Sequence, residues 1–239
     1  MAIPAFVRED LEKLGLAQDD ATLERLEAFL DRLLEANQRT NLTAVREPDA
    51  AWSRMIIDSL TVLPGLDGLP EDAQLIDVGT GGGLPGVPLT ITKPDIKITL
   101  LEATGKKCAF LQDVVEGLNL VNVRVHHGRA EAAGQDRAFR ERYDLAVCRA
   151  VGPMPVLLEL CLPLIKVGGR LLAMKGPRVE EELDASGDAI TKLGAGEIAV
   201  IDAYPQDFDN DLVIVSVYKD TQTPKAYPRA AGLPKKQPL

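Results

Sequence analysis

Leu23, Leu26, Leu30 and Leu33 recur at spacings of three and four residues, with Phe29 and Leu34 widening the stripe. That period predicts a helix with one apolar face, which Asp19 or Asp20 can cap. The polar run from Asn37 to Asn41 interrupts it. A second amphipathic stretch is predicted from about Pro48 to Leu63, where Pro64 and Gly65 stop it. Together these predict an N-terminal helical cap over residues 1–70.

From residue 74 onward, short apolar runs alternate with helical ones. Strands are predicted at Gln74–Val78, Lys97–Glu102, Asn122–His127, Tyr143–Arg149, Arg170–Met174, Glu197–Tyr204 and Leu212–Tyr218. Helices are predicted from Leu84 to about Thr92, Lys106 to Leu118, Pro155 to Ile165 and Val179 to about Lys192. Alternation of this kind makes a mostly parallel sheet covered on both faces, an α/β fold. The last two strands lack a helix between them and predict an antiparallel hairpin closing a domain of residues 71–219. A tail, residues 220–239, follows.

Composition narrows the function classes. Of 239 residues, 46% are hydrophobic and 4% aromatic, so the core is aliphatic and large enough for one domain. Three cysteines, never at C-x-x-C spacing, exclude a disulfide scaffold and suit a reducing cytoplasm. The two histidines, His126 and His127, are adjacent, so no metal site is expected. The richest apolar stretch, Met154 to Ile165, carries Glu159 and is too short to span a bilayer, and the N-terminus lacks the marks of a secretory signal. Net charge is −9, but residues 219–239 hold five Lys or Arg against one Asp. A basic tail on an acidic body can meet phosphate or can be a solvated terminus.

The sharpest local signal is Asp77-Val78-Gly79-Thr80-Gly81-Gly82-Gly83-Leu84-Pro85-Gly86, between a strand and a helix. Glycines allow a tight turn and close approach of a ligand, and open α/β sheets bind ligands beyond the carboxyl ends of their strands. Glu102 ends the next strand, where a carboxylate can accept hydrogen bonds from both ribose hydroxyls of a nucleoside. A dinucleotide fits Gly81, Gly83 and Gly86, which match G-x-G-x-x-G. S-adenosylmethionine fits Gly79, Gly81 and Gly83. Pro85 removes a donor that a pyrophosphate would want, and the terminal hairpin suits a methyltransferase sheet, so methyl transfer is favoured.

Eight blocks then resemble one family. They are Asn41-Leu42-Thr43-Ala44, Arg54 through Leu60, Asp77 through Gly86, LLEATGKKCAFL (100–111), GRAE (128–131), CRAV (148–151), MKG (174–176) and YPRAAGLPKKQPL (227–239). In this order they resemble the bacterial small-subunit (16S) ribosomal RNA guanine-N7 methyltransferases, the glucose-inhibited division protein B family. The resemblance implies a class I S-adenosylmethionine-dependent, Rossmann-like fold with a seven-stranded sheet. It implies methylation of one guanine in the decoding-region loop. By position, Gly79 and Leu84 would line the cofactor's methionine end. Glu102, Ala103 and Thr104 would hold the ribose and an adenine edge. Ala130 and Glu131 would flank the adenine, and Arg149 would sit at the pocket mouth. Where the family usually has a histidine after Arg54, this chain has Met55.

Guanine N7 carries a lone pair and no proton, so no general base, and hence no catalytic side chain, is expected. Candidate RNA contacts are Arg39, Arg46, Arg54, Lys175, Arg229, Lys235 and Lys236. The expected partner is 16S rRNA or the small subunit, bound by a cytoplasmic monomer. A nicotinamide-dinucleotide oxidoreductase and a non-catalytic nucleotide-binding regulator are the alternatives.

Overall fold

A computed structural model describes residues 3–239. Among these the sheet has seven strands: β1 (Gln74–Val78), β2 (Lys97–Glu102), β3 (Val123–His127), β4 (Tyr143–Arg149), β5 (Ile165–Lys175), β6 (Ala195–Asp202) and β7 (Val213–Lys219). Their order is β3-β2-β1-β4-β5-β7-β6. The first five are parallel, and β7 runs antiparallel between β5 and β6. The predicted alternation and terminal hairpin are therefore present.

Strand parity sends alternate side chains to two cores. Leu75 of β1, Leu145 and Val147 of β4 and Leu172 and Met174 of β5 join one cluster. Ile76, Val78, Ala146, Cys148, Leu171 and Ala173 join the other. Helices α1 (Ala5–Lys13), α2 (Asp20–Asn37), α3 (Pro48–Ala51), α4 (Asp58–Leu60), α5 (Gly86–Thr92) and α6 (Gly105–Gly117) cover the first face. Helices α7 (Ala130–Gln135), α8 (Met154–Cys161), α9 (Val179–Asp184) and α10 (Gly187–Leu193) cover the second. The leucine stripe of α2 shares its cluster with Val87, Leu89 and Leu100, so packing is continuous across residue 70. Asp19 caps α2 by accepting the Thr22 backbone N–H at 2.7 Å.

Several boundaries differ from the pattern. The first helix, α1, was not read from the sequence, because Val7 and Leu11 alone make its buried stripe. The stretch from Pro48 is helical but winds as π over Trp52–Ile57 before α4. The helix after Pro155 gives way to a 3₁₀ turn at Leu162–Leu164, where Pro163 has no N–H to continue it. The charged helix expected over 179–192 is two helices, broken at buried Ser186, whose hydroxyl bonds back to the Glu182 carbonyl at 2.6 Å. Lys219, fully buried, ends β7 by donating to Glu141 and to the Leu162 and Ile165 carbonyls. Among the described residues no helix is long and apolar enough to cross a membrane.

Candidate cofactor and RNA site

The β1–α5 loop turns through Gly79, Gly81 and Gly83 at φ of 72°, 59° and 91°, a region that only glycine enters freely. Its anchor is Asp77, fully buried, whose Oδ2 accepts the Thr80 hydroxyl at 2.6 Å and the Gly86 N–H at 2.8 Å. Burial pushes this carboxyl up to about 7, although both hydrogen bonds pull it down. Asp77 therefore orders the loop from below.

Above the loop, a cleft of about 330 Å³ opens at the carboxyl ends of β1 and β2, within the range of small-molecule sites. Gly79, Glu102, Ala103, Ala130 and Glu131 line it together. Glu102 accepts the Gly81 N–H at 3.0 Å and the Thr104 N–H at 2.7 Å, so its carboxylate joins the glycine loop to the start of α6. A Cβ on Gly79 would lie 2.9 Å from Val151, whereas one on Gly81 would have nothing within 3.8 Å.

Donors at the start of α5 are already used. Gly83 and Leu84 donate to the Thr80 carbonyl, Gly86 to Asp77 and Val87 to the Gly83 carbonyl, while Pro85 has no N–H. A pyrophosphate needs such donors; the charged lining of the cleft is mixed, with Glu102 and Glu131 beside Arg129, Lys235 and Lys236. A ribose-bearing ligand fits these surroundings: carboxylates that can accept from its hydroxyls, the backbone of Gly79 and an apolar wall that includes Val78, Leu101 and Leu160.

Arg149 ends β4 beside Ala150, which is held at φ 54°, strain of the kind that collects at functional sites. Its guanidinium donates to Asp58 at 3.3 Å, while its Nη1 is buried without a partner. Asp58 also accepts the Tyr204 hydroxyl at 2.6 Å and the Asn210 amide at 3.1 Å. Burial, with the Asp58 charge beside it, raises the Tyr204 pKa far above the ordinary phenol value. Asp58, Tyr204 and Asn210 were not singled out from the sequence, because their partners lie about 91 to 152 residues apart.

The remaining candidates separate by charge pairing. Leu84 is half-buried beside the loop, and Met55 lies in the core. Arg39, Arg46, Arg54, Lys235 and Lys236 are exposed. Two further candidates for RNA contact, Lys175 and Arg229, are paired with carboxylates. Lys175 pairs with Glu182 at 2.6 Å and donates to the Gly152 carbonyl, and Arg229 grips buried Glu159 with contacts of 2.6 to 3.1 Å. The tail that carries Arg229 is folded against the domain, and Gly232, Lys235 and Lys236 reach the cleft.

A model of the family described as rRNA small subunit methyltransferase G matches residues 22–206. This chain belongs to that family. Relatives named ribosomal RNA small subunit methyltransferase G include one from Alkaliphilus metalliredigens, 40% identical, covering 98% of both chains. Another, from Ligilactobacillus salivarius, is 42% identical and covers 99% of both. The fold resembles that of a SAM-dependent O-methyltransferase from Thermotoga maritima, with a TM-score of 0.55 and 15% identity, covering 80% of this chain and 72% of that one. The resemblance read from the eight sequence blocks and the class I sheet are thus borne out.

Proposed function

We propose that the protein methylates N7 of one guanine in the decoding-region loop of 16S rRNA, taking the methyl group from S-adenosylmethionine. The observation that carries this reading is the cleft of a family member in which the donors at the α5 N-terminus are used internally while Glu102, at the end of β2, lines the ligand space with Gly79 and Ala103. Bound there, S-adenosylmethionine supplies a methyl on a positively charged sulfur.

Gly79, Gly81 and Leu84 hold the methionine end. Glu102, Ala103 and Thr104 hold the ribose and one adenine edge, and Ala130 and Glu131 flank the adenine. Arg149, fixed by Asp58, stands at the mouth and directs the substrate. No side chain has to take a proton, since the acceptor nitrogen carries none. The chain contributes alignment of the two reactants and exclusion of water. Arg39, Arg46, Arg54, Lys235 and Lys236 supply exposed positive charge for the RNA phosphates. The protein acts as a cytoplasmic monomer.

The test is transfer of labelled methyl to naked 16S rRNA and to small subunits, followed by mapping. Label on N7 of a single guanine is the expected result. Absence of transfer to both substrates, or label on another atom, overturns the reading.

A further inference from the structure

The end of the chain builds part of the cleft. Arg140 donates to the carbonyls of Thr223, Pro224 and Tyr227, and Gln135 donates to those of Lys225 and Pro228. These bonds seat the tail on the segment that follows β3. Glu159, fully buried, then takes the Arg229 backbone N–H at 2.8 Å and its guanidinium in a fork. Gly232, at φ 80°, turns the chain so that its N–H lands on Glu131 Oε1 at 2.7 Å. Buried Pro234 follows in a single helical turn, α11 (Leu233–Lys236), and it lines the same cleft as Glu102 and Ala103.

We propose that residues 232–236 are a cofactor-binding segment, the outer wall against the adenosyl half of the ligand. The proposal rests on the reading of the cleft as an S-adenosylmethionine site. Gly232 fixes the rotamer of Glu131, the carboxylate beside the adenine position. Pro234 adds a rigid apolar surface that excludes water from the bound nucleoside. The Arg229–Glu159 fork holds the segment in place before any ligand arrives, so little ordering entropy is lost on binding.

The experiment is calorimetric titration of S-adenosylmethionine and S-adenosylhomocysteine into three proteins. They are the full chain, a chain ending at Ala231 and the full-length variant Pro234→Gly. The truncation keeps the Arg229–Glu159 fork, and its thermal midpoint is measured alongside. Binding of both ligands about tenfold weaker in the truncated chain and about threefold weaker in Pro234→Gly is expected. Affinity within twofold of the full chain in a folded truncation overturns the proposal. Should the truncation not fold, unchanged affinity in Pro234→Gly overturns it. A full chain that binds neither ligand overturns the cofactor reading and this proposal with it, a result distinct from a loss confined to the two variants.

Discussion

Asp77 sits fully buried beneath the glycine loop with one oxygen satisfied twice and the other without a partner. A carboxylate in that position is costly to ionise, and its pKa of about 7 follows from the loss of solvent. The unfolded chain gives up this proton near 3.8. Between those values the folded state binds more protons, so raising the pH favours unfolding. Asp77→Asn keeps an oxygen for Thr80 and Gly86 and has no proton to lose. Its stability relative to the parent should therefore rise between about pH 4 and 7, by up to about 4 kcal/mol at 1.36 kcal/mol per pKa unit. Urea melts at both pH values measure it, and a constant difference would show that Asp77 does not titrate there. The loop glycines were legible from sequence because each stands where the backbone turns or approaches closely. At Gly86 a Cβ would lie 2.4 Å from Leu100 and 2.7 Å from Asp77, so this glycine serves helix–strand packing.

Elements are joined across the site by one carboxylate. Asp58 opens α4 just after the π turns. From there it ties the end of β4 through Arg149 to the β6–β7 connection through Tyr204 and Asn210. Tyr204→Phe removes one donor and leaves the shape. A loss of roughly 1–3 kcal/mol is expected, the cost of a buried acceptor left short of a partner. Asp58→Ala removes all three bonds, so adding Tyr204→Phe to it should cost almost nothing further. Denaturant midpoints of the two single variants and the double variant check this, and simple additivity would deny the network. Helix periodicity showed an amphipathic stretch over this segment but could not show the wider turns, since the winding is set by packing against the rest of the fold. Likewise the break falls at the Ser186-Gly187 pair, a turn signal that the run of charges on either side masks.

At the scale of the whole molecule, charge is divided unevenly. The body is acidic, and the tail brings Lys235 and Lys236 to the rim of the cleft. If these two lysines neutralise RNA phosphates, the variant Lys235→Ala/Lys236→Ala should bind rRNA more weakly and with a shallower salt dependence. The slope of log K against log salt should fall by about 0.7 to 0.9 per lysine. Filter binding at several salt concentrations measures it, and an unchanged slope would place the RNA elsewhere. Composition showed the basic tail but not its position. Read from charge, Arg229 was one more cation for RNA, whereas in the fold it closes on Glu159, 70 residues earlier in the chain. The amino-acid order alone determined the seven-stranded α/β sheet, the glycine turn with Glu102 beyond it, and the family, because periodicity, turn chemistry and short motifs are local. Tertiary structure decided which cations stay free, which carboxylate holds Arg149, and that the chain's last residues wall the cleft. Those depend on groups distant in sequence meeting in space, where burial makes a charge pair with the nearest opposite one.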